Sequence, residues 1–293
     1  MRVESVTSAQ NRKIKTLLAL QEKARLRKEM GLFVVEGRRE LEHCISAGFE
    51  VDTLFYCPEI VGLAVGQSSA IRFGAHTCDA DPTRVKATDC PLPDLSILME
   101  KAGQVIEVPR ELYAKIAYRE GTEGMIAEVK VRERSLEGLE LKENPLVVVL
   151  EGVEKPGNLG AVLRSADAAG ADAVLICDPL TDLYNPNLIR ASIGAVFTVP
   201  VACCSSEEAI KWLKEKHINI YTAQLQDSSW YYDTDMRGGT AIVIGTEATG
   251  LTDAWREAAD AHIRIPMLGE LDSLNASVSA AILLFEAVRQ RNA

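Results

Sequence analysis

Three short stretches of this 293-residue chain gather the residue types from which ligand sites are built. The first runs Pro156-Gly157-Asn158-Leu159-Gly160-Ala161-Val162-Leu163-Arg164, and the second Ile244-Gly245-Thr246-Glu247-Ala248-Thr249-Gly250-Leu251. The third is Ile265-Pro266-Met267, followed by Ser273-Leu274-Asn275-Ala276-Ser277. Each follows or ends an apolar, strand-like run and sets small or polar residues where a helix or loop begins, which is where α/β folds place ligands. In the first, Leu159, Val162, Leu163, Ala166 and Ala169 make an apolar stripe at helical spacing. Gly157, Gly160, Ala161, Arg164 and Ala168 make another, of small side chains around a single guanidinium. Such a stripe admits a ligand or a second chain at close range and leaves Arg164 as the reaching group; a surface or helix-capping arginine is the plainer alternative. In the second, Gly245 and Gly250 at the carboxyl end of a strand predict a loop with positive φ or close backbone approach. Glu247 there either bonds a ligand or orients Arg164, or is a solvated glutamate in a turn. In the third, Ser273 suits an N-cap and Asn275 the first turn of a long C-terminal helix. Ala276, Ser277, Ser279, Ala280 and Ala281 give that helix a surface for close packing.

The elements that must hold these stretches alternate regularly from Pro145 onward. Strands are predicted at Leu146–Leu150, Ala173–Ile176, Val196–Val201, Ile218–Thr222, Ala241–Ile244 and His262–Pro266. Helices are predicted at Leu159–Ala169, Pro186–Gly194, Glu207–Lys216, Asp253–Ala259 and Ser273–Arg291, the third opened by a Ser205/Glu208 capping box. Near-continuous apolar strands separated by helices predict a mostly parallel sheet covered on both faces. Upstream, short strands at 32–37, 51–56, 105–108 and 125–131, with helices at 38–47 and 110–118, predict a small α/β domain; residues 59–100 give no clear pattern. The charged run 132–144 reads as a linker, so we expect a basic arm over 1–28, a first domain over 29–135 and a second over 144–293.

Composition narrows the class. With 47% hydrophobic and 25% charged residues the chain has the mix of a globular protein with a real core. No apolar run approaches the roughly 20 residues that span a bilayer. The first residues lack the apolar core of a signal peptide, which predicts a cytoplasmic protein with no membrane contact. Seven cysteines at irregular spacing, with no C-x-x-C, predict reduced structural thiols, and no metal site is expected; His76 beside Cys78 is too slight a signal. The net charge of −10 argues against a basic coat. Yet residues 1–28 carry Arg2, Arg12, Lys13, Lys15, Lys23, Arg25, Arg27 and Lys28 against Glu4 and Glu22. That segment is either a nucleic-acid contact or a solvated amphipathic helix whose apolar face is Ile14, Leu17, Leu18 and Leu20. Trp230-Tyr231-Tyr232 would stack on an unpaired base, or serve as packing or dimer contacts. The first stretch is neither a Rossmann fingerprint nor a Walker A loop, which disfavours a nicotinamide-dependent oxidoreductase or a nucleotide-phosphate enzyme.

Taken in order, the stretches N-x-G-x-x-x-R, G-x-E-x-x-G-L, and I-P-M followed by S-L-N-x-S resemble the three motifs of the SpoU/TrmH branch of the SPOUT methyltransferases. Residues 10–58, with Ser8-Ala9-Gln10-Asn11 and Phe33-Val34-Val35-Glu36-Gly37, are similar to that family's N-terminal substrate-binding domain, of RNA-binding ribosomal-protein character. The resemblance implies an α/β SPOUT domain with a deep trefoil knot, an exception to the rule against knotted chains. It implies an S-adenosylmethionine cofactor, an active site at a homodimer interface, and an RNA substrate, not DNA, methylated on a ribose 2′-hydroxyl. Arg164 would be catalytic, with Asn158, Glu247, Ser273 and Asn275 positioning it and the ribose. Thr222, Ala223, Leu225, Gly245, Glu247, Gly250, Ile265, Met267, Leu274 and Ala276 would hold the cofactor. Ribosomal RNA of the large subunit is expected ahead of transfer RNA, and a catalytically silent RNA-binding or ribosome-assembly factor of the same fold is the other-class alternative.

Overall fold

The computed structural model describes residues 3–62, 95–119, 123–246, 249–270 and 273–293. It divides into two units, Met1–Val131 and Arg132–Ala293. Glu247, and the stretch containing His76 and Cys78, lie outside the described residues.

The first unit is built on strands β1 (Val3–Ser5), β2 (Leu32–Glu36), β3 (Val51–Tyr56), β4 (Ala102–Glu107) and β5 (Met125–Lys130), in the order β1-β4-β3-β5-β2. The β1–β4 and β3–β4 pairs are parallel, whereas β5 runs antiparallel to β3 and β2. The basic N-terminal stretch belongs to this unit and is not an arm outside it. It forms helices α1 (Arg12–Glu22), capped by Asn11, and α2 (Ala24–Met30), closed by Gly31 at φ +63°. Ile14, Leu17 and Leu20 of α1 are fully buried against Phe55, Ile106 and Ile126. Arg27 is itself buried, because its Nη1 donates to the Leu20 and Gln21 carbonyls left open where α1 ends. The first unit also contains the short helices α3 (Arg38–Ser46), α4 (Leu95–Lys101) and α5 (Arg110–Ile116).

The second unit alternates as its sequence predicts: β6 (Leu146–Glu151), α6 (Pro156–Ala169), β7 (Ala173–Cys177), α7 (Pro186–Ser192), α8 (Ala195–Thr198), β8 (Val201–Cys204), α9 (Ser206–Glu215), β9 (Asn219–Ala223), β10 (Ser229–Trp230), β11 (Thr240–Ile244), α10 (Asp253–Ala258), β12 (Ala261–Arg264) and α11 (Ala276–Arg291). The strands form one all-parallel sheet in the order β10-β12-β9-β11-β6-β7-β8. Strand alternation sends Val147, Val149, Leu175 and Val243 to one face, under Ala209, Leu213 and Trp255 of α9 and α10. Val148, Leu150, Ile176 and Ile244 are buried on the other face, where α6 packs on β7 and α11 on β11. The Ser205/Glu208 capping box is present at α9.

Two local expectations fail. The apolar run Val196–Val201 is not a strand throughout: Ile193 and Gly194 take left-handed φ of +52° and +85° and restart the chain as α8, with the strand beginning at Val201. Ser273 is not the cap of α11. Asn275 is, accepting from the Ser277 amide at 2.9 Å, so the helix starts at Ala276. The segment read as a linker packs onto the second unit, with Leu136 buried and the Cys203 amide donating to the Arg134 carbonyl. At the far end of α11, Arg291 donates to the carbonyls of Asn144, Pro145, Met236 and Gly238, tying the helix to the start of β6 and the lead into β11. No helix among the described residues is long and apolar enough to cross a membrane.

Candidate functional site

The carboxyl ends of β9, β11 and β12 and the approach to α11 meet around a cavity of about 600 Å³. That lies inside the about 300–1,000 Å³ typical of small-molecule pockets. Ala223 to Gln226 follow β9, Gly245, Thr246 and Gly250 follow β11, Ile265 and Met267 follow β12, and Ser273 to Ala276 lead into α11. In open parallel sheets the strand ends leave backbone amides and carbonyls unspent, so a cavity there is both shaped and polar at its rim.

The glycines that mark the second stretch have a steric reason. A Cβ on Gly245 would overlap the backbone of Gly250 and come within 2.7 Å of the Leu251 nitrogen. Thr246 and Gly250 exchange backbone hydrogen bonds at 3.2 and 3.1 Å, and Gly250 sits at φ +69°. The loop therefore doubles back on itself at the cavity wall, which a side chain at either position opposes. Its exit is fixed by Glu151, at the end of β6 and 5% exposed. The Glu151 carboxylate accepts from the Thr252 amide at 2.9 Å and the Thr252 hydroxyl at 2.7 Å, and it lies 3.3 Å from the Ser206 hydroxyl, which donates to Asp178 Oδ2 at 2.6 Å. Trp255 Nε1 in turn donates to Ser206 Oγ at 3.0 Å.

Gly160 has a different purpose from the ligand approach its stripe suggested. It is buried in α6, and a Cβ there would come within 2.6 Å of the Ala191 Cβ and 2.8 Å of the Ser192 nitrogen on α7. Arg164 is exposed on α6, makes no hydrogen bond or ion pair among the described residues and does not line the cavity. Asn158 is connected to the cavity through Asn275, whose Nδ2 donates to Asn158 Oδ1 at 3.1 Å. Of the other expected residues, Ala223, Leu225, Gly245, Gly250, Ile265, Met267, Ser273, Leu274, Asn275 and Ala276 line the cavity. Thr222 does not. It is fully buried within the sheet, where its hydroxyl bonds His262 Nδ1 at 2.6 Å across β9 and β12, because alternation turns it away from its neighbour Ala223.

Gln224, Arg256 and Arg264 are among the lining residues that the sequence does not single out. Each has a buried polar atom with no partner among the described residues, Gln224 Oε1, Arg256 Nε and Arg264 Nε. Arg264 lies 4.2 Å above the Trp230 ring, and Trp230 stacks on Tyr232 with centroids 6.4 Å apart. The aromatic triplet thus forms a surface cluster carrying an arginine that also reaches the cavity.

Against known proteins, the profile of the SpoU rRNA Methylase family matches residues 145–285, and that of the MRM3-like substrate binding domain matches residues 11–127. A 23S rRNA uridine 2′-O-methyltransferase of Streptomyces viridochromogenes is 31% identical over 90% of this chain and 85% of its own length. A 23S rRNA guanosine 2′-O-methyltransferase of Vibrio cholerae is 34% identical over 77% of this chain and 99% of its own. Among solved structures, an RNA 2′-O ribose methyltransferase is similar at 35% identity and TM-score 0.76, covering 99% of this chain and 100% of that one. An S-adenosylmethionine-bound rRNA methyltransferase from Sinorhizobium meliloti is similar at 27% identity and TM-score 0.79, with 98% of each chain covered.

Proposed function

Because the chain belongs to the SpoU rRNA methylase family, we propose that it transfers a methyl group from S-adenosylmethionine to a ribose 2′-hydroxyl of large-subunit ribosomal RNA. The observation that carries this reading is the convergence of the second and third sequence stretches on one cavity of about 600 Å³ at the strand ends. Both curated relatives are named for 2′-O-methylation of 23S rRNA, and the first unit coincides with a substrate-binding domain profile.

The cavity fits the cofactor. Leu225, Ile265, Met267 and Leu274 offer apolar walls, and Gly245 and Gly250 bring backbone close. In this reading Ala223, Leu225, Gly245, Gly250, Ile265, Met267, Leu274 and Ala276 hold it, with Glu247 in the same loop. When bound, it supplies a sulfonium methyl. The protein's own task is to align the ribose oxygen behind that methyl, since orientation supplies much of the rate in such transfers. Asn158, Ser273 and Asn275 would position the ribose. Arg164 would anchor a phosphate and stabilise the developing alkoxide, because a guanidinium stays protonated and is a poor proton acceptor.

We also read the site as completed by a second copy of the chain. Val278 and Phe285 lie on one face of α11, and 46% and 48% of their surface is exposed. With Leu274, 38% exposed, they make an apolar strip beside the cavity.

The test is incubation of purified protein with labelled S-adenosylmethionine and total RNA beside an Arg164→Ala variant, with 2′-O-methyl groups mapped by nuclease resistance. Label in large-subunit rRNA from the wild type alone supports the proposal. Label in transfer RNA would replace the substrate, and S-adenosylhomocysteine binding without any transfer would favour a silent assembly factor.

A further inference from the structure

The only charged side chains among the described lining residues of the cavity are Arg256 and Arg264. Neither is neutralised from inside by a described residue. Among the described residues Arg256 has one ion-pair partner, Asp253, at 3.7 Å through Nη1, and that carboxylate is 89% exposed. Arg264 has the Trp230 ring beneath it and no ion pair among the described residues. The inner nitrogen of each guanidinium, Nε, is buried with no acceptor among the described residues, which leaves the outer Nη nitrogens as the donors for a ligand. Two cations lining one cavity repel each other. That repulsion is offset if an oxyanion enters, and the Nη edge of a guanidinium presents a fork matched to a carboxylate.

The cofactor read into this cavity carries one such group, the carboxylate of its amino-acid end, opposite a sulfonium that two unpaired arginines would repel. We propose that Arg256 and Arg264 form the carboxylate subsite of the cavity and set which end of S-adenosylmethionine enters which side. The proposal rests on the methyltransferase reading. It assigns Arg264 a double attachment, with its face on Trp230 and its edge in the cavity, so the aromatic cluster of Trp230, Tyr231 and Tyr232 holds a binding residue in place.

The experiment is titration calorimetry on the full chain with two neutral-sulfur probes, S-adenosylhomocysteine and 5′-methylthioadenosine, which lacks the amino-acid end. With the wild type, S-adenosylhomocysteine should bind at least about tenfold more tightly, the size expected for hydrogen bonds to a charged group. In Arg256→Met and Arg264→Met, which keep an unbranched apolar stem, that advantage should shrink by about tenfold while 5′-methylthioadenosine is held as before. Equal binding of the two probes by the wild type overturns the subsite without recourse to any variant. Equal weakening of both probes in the variants also overturns it, since the arginines would then be supporting the cavity wall. Unchanged probe affinities with weaker RNA binding would assign the pair to a substrate phosphate and overturn it as well. A wild type that binds neither probe would sink the methyltransferase reading itself.

Discussion

Asn275 Nδ2 donates to Asn158 Oδ1 at 3.1 Å, joining two residues 117 positions apart. The same Asn275 caps α11 through its Oδ1, which accepts from the Ser277 amide at 2.9 Å and hydroxyl at 2.6 Å. One side chain therefore starts the C-terminal helix and fastens it to the first turn of α6. Asn275→Ala should cost about 1 kcal/mol from the cap alone. Asn158→Ala leaves the cap in place and should cost less stability. Both should weaken S-adenosylhomocysteine binding, and a double-mutant cycle should give a coupling of at least about 0.5 kcal/mol. Strict additivity in denaturant melts and calorimetry would mean that the amide pair has no role in shaping the site.

Gly245→Ala places a methyl into the Gly250 backbone, so the loop must open. We expect a loss of about 1–3 kcal/mol in stability and no measurable S-adenosylhomocysteine binding. Gly157→Ala faces open space and should change stability by no more than about 0.5 kcal/mol. Urea denaturation of both variants decides this, and equal stability of the pair would refute the close-approach argument.

Arg164→Ala should abolish methyl transfer while leaving S-adenosylhomocysteine affinity within about twofold, because the side chain is exposed and does not line the cavity. A large fall in cofactor affinity would show instead that the arginine supports the pocket, and retained transfer would remove it from the catalytic group.

In the first unit, Glu128 of β5 is 6% exposed and its Oε1 has no hydrogen-bond partner among the described residues. Burial, and then the neighbouring Asp52 carboxylate, push its pKa up to about 7, opposed only by Lys13. A carboxyl that keeps its proton longer when folded contributes stability below its unfolded pKa of about 4.3 and loses it as the pH rises through about 7. Burial raises Glu36 and Glu42 in the same direction. Glu128→Gln should therefore stabilise the chain by about 1–3 kcal/mol at pH 8 and be near neutral at pH 4. A difference that does not vary with pH would show that Glu128 is not the titrating group.

The sequence is most readable where a local constraint leaves a local mark. Gly245 and Gly250 stand out because a loop folded onto its own backbone excludes side chains, and the apolar runs of β6, β7 and β11 stand out because both faces of that sheet are covered. Capping is ambiguous by nature: Ser-Leu-Asn offers two residues able to cap, and the structure uses the second, which also bonds Asn158. Gly160 looks like a ligand-approach residue until its distance to Ala191 is known. Thr222 looks like a lining residue until the alternation of β9 is placed against β12. Arg256 and Arg264 are invisible in one dimension, since a lone arginine on a short helix or at a strand end has the pattern of any solvated cation.

The strand order has a consequence for how the protein is made. β6 acquires β7 on one side soon after it is synthesised, but its partner on the other side is β11, at residues 240–244. Until those residues emerge, Leu146-Val147-Val148-Val149-Leu150 presents an unpaired, wholly apolar edge, the kind of surface that invites pairing between chains. Nascent chains halted between β7 and β11 should therefore be the form of this protein most prone to aggregate and most in need of a chaperone.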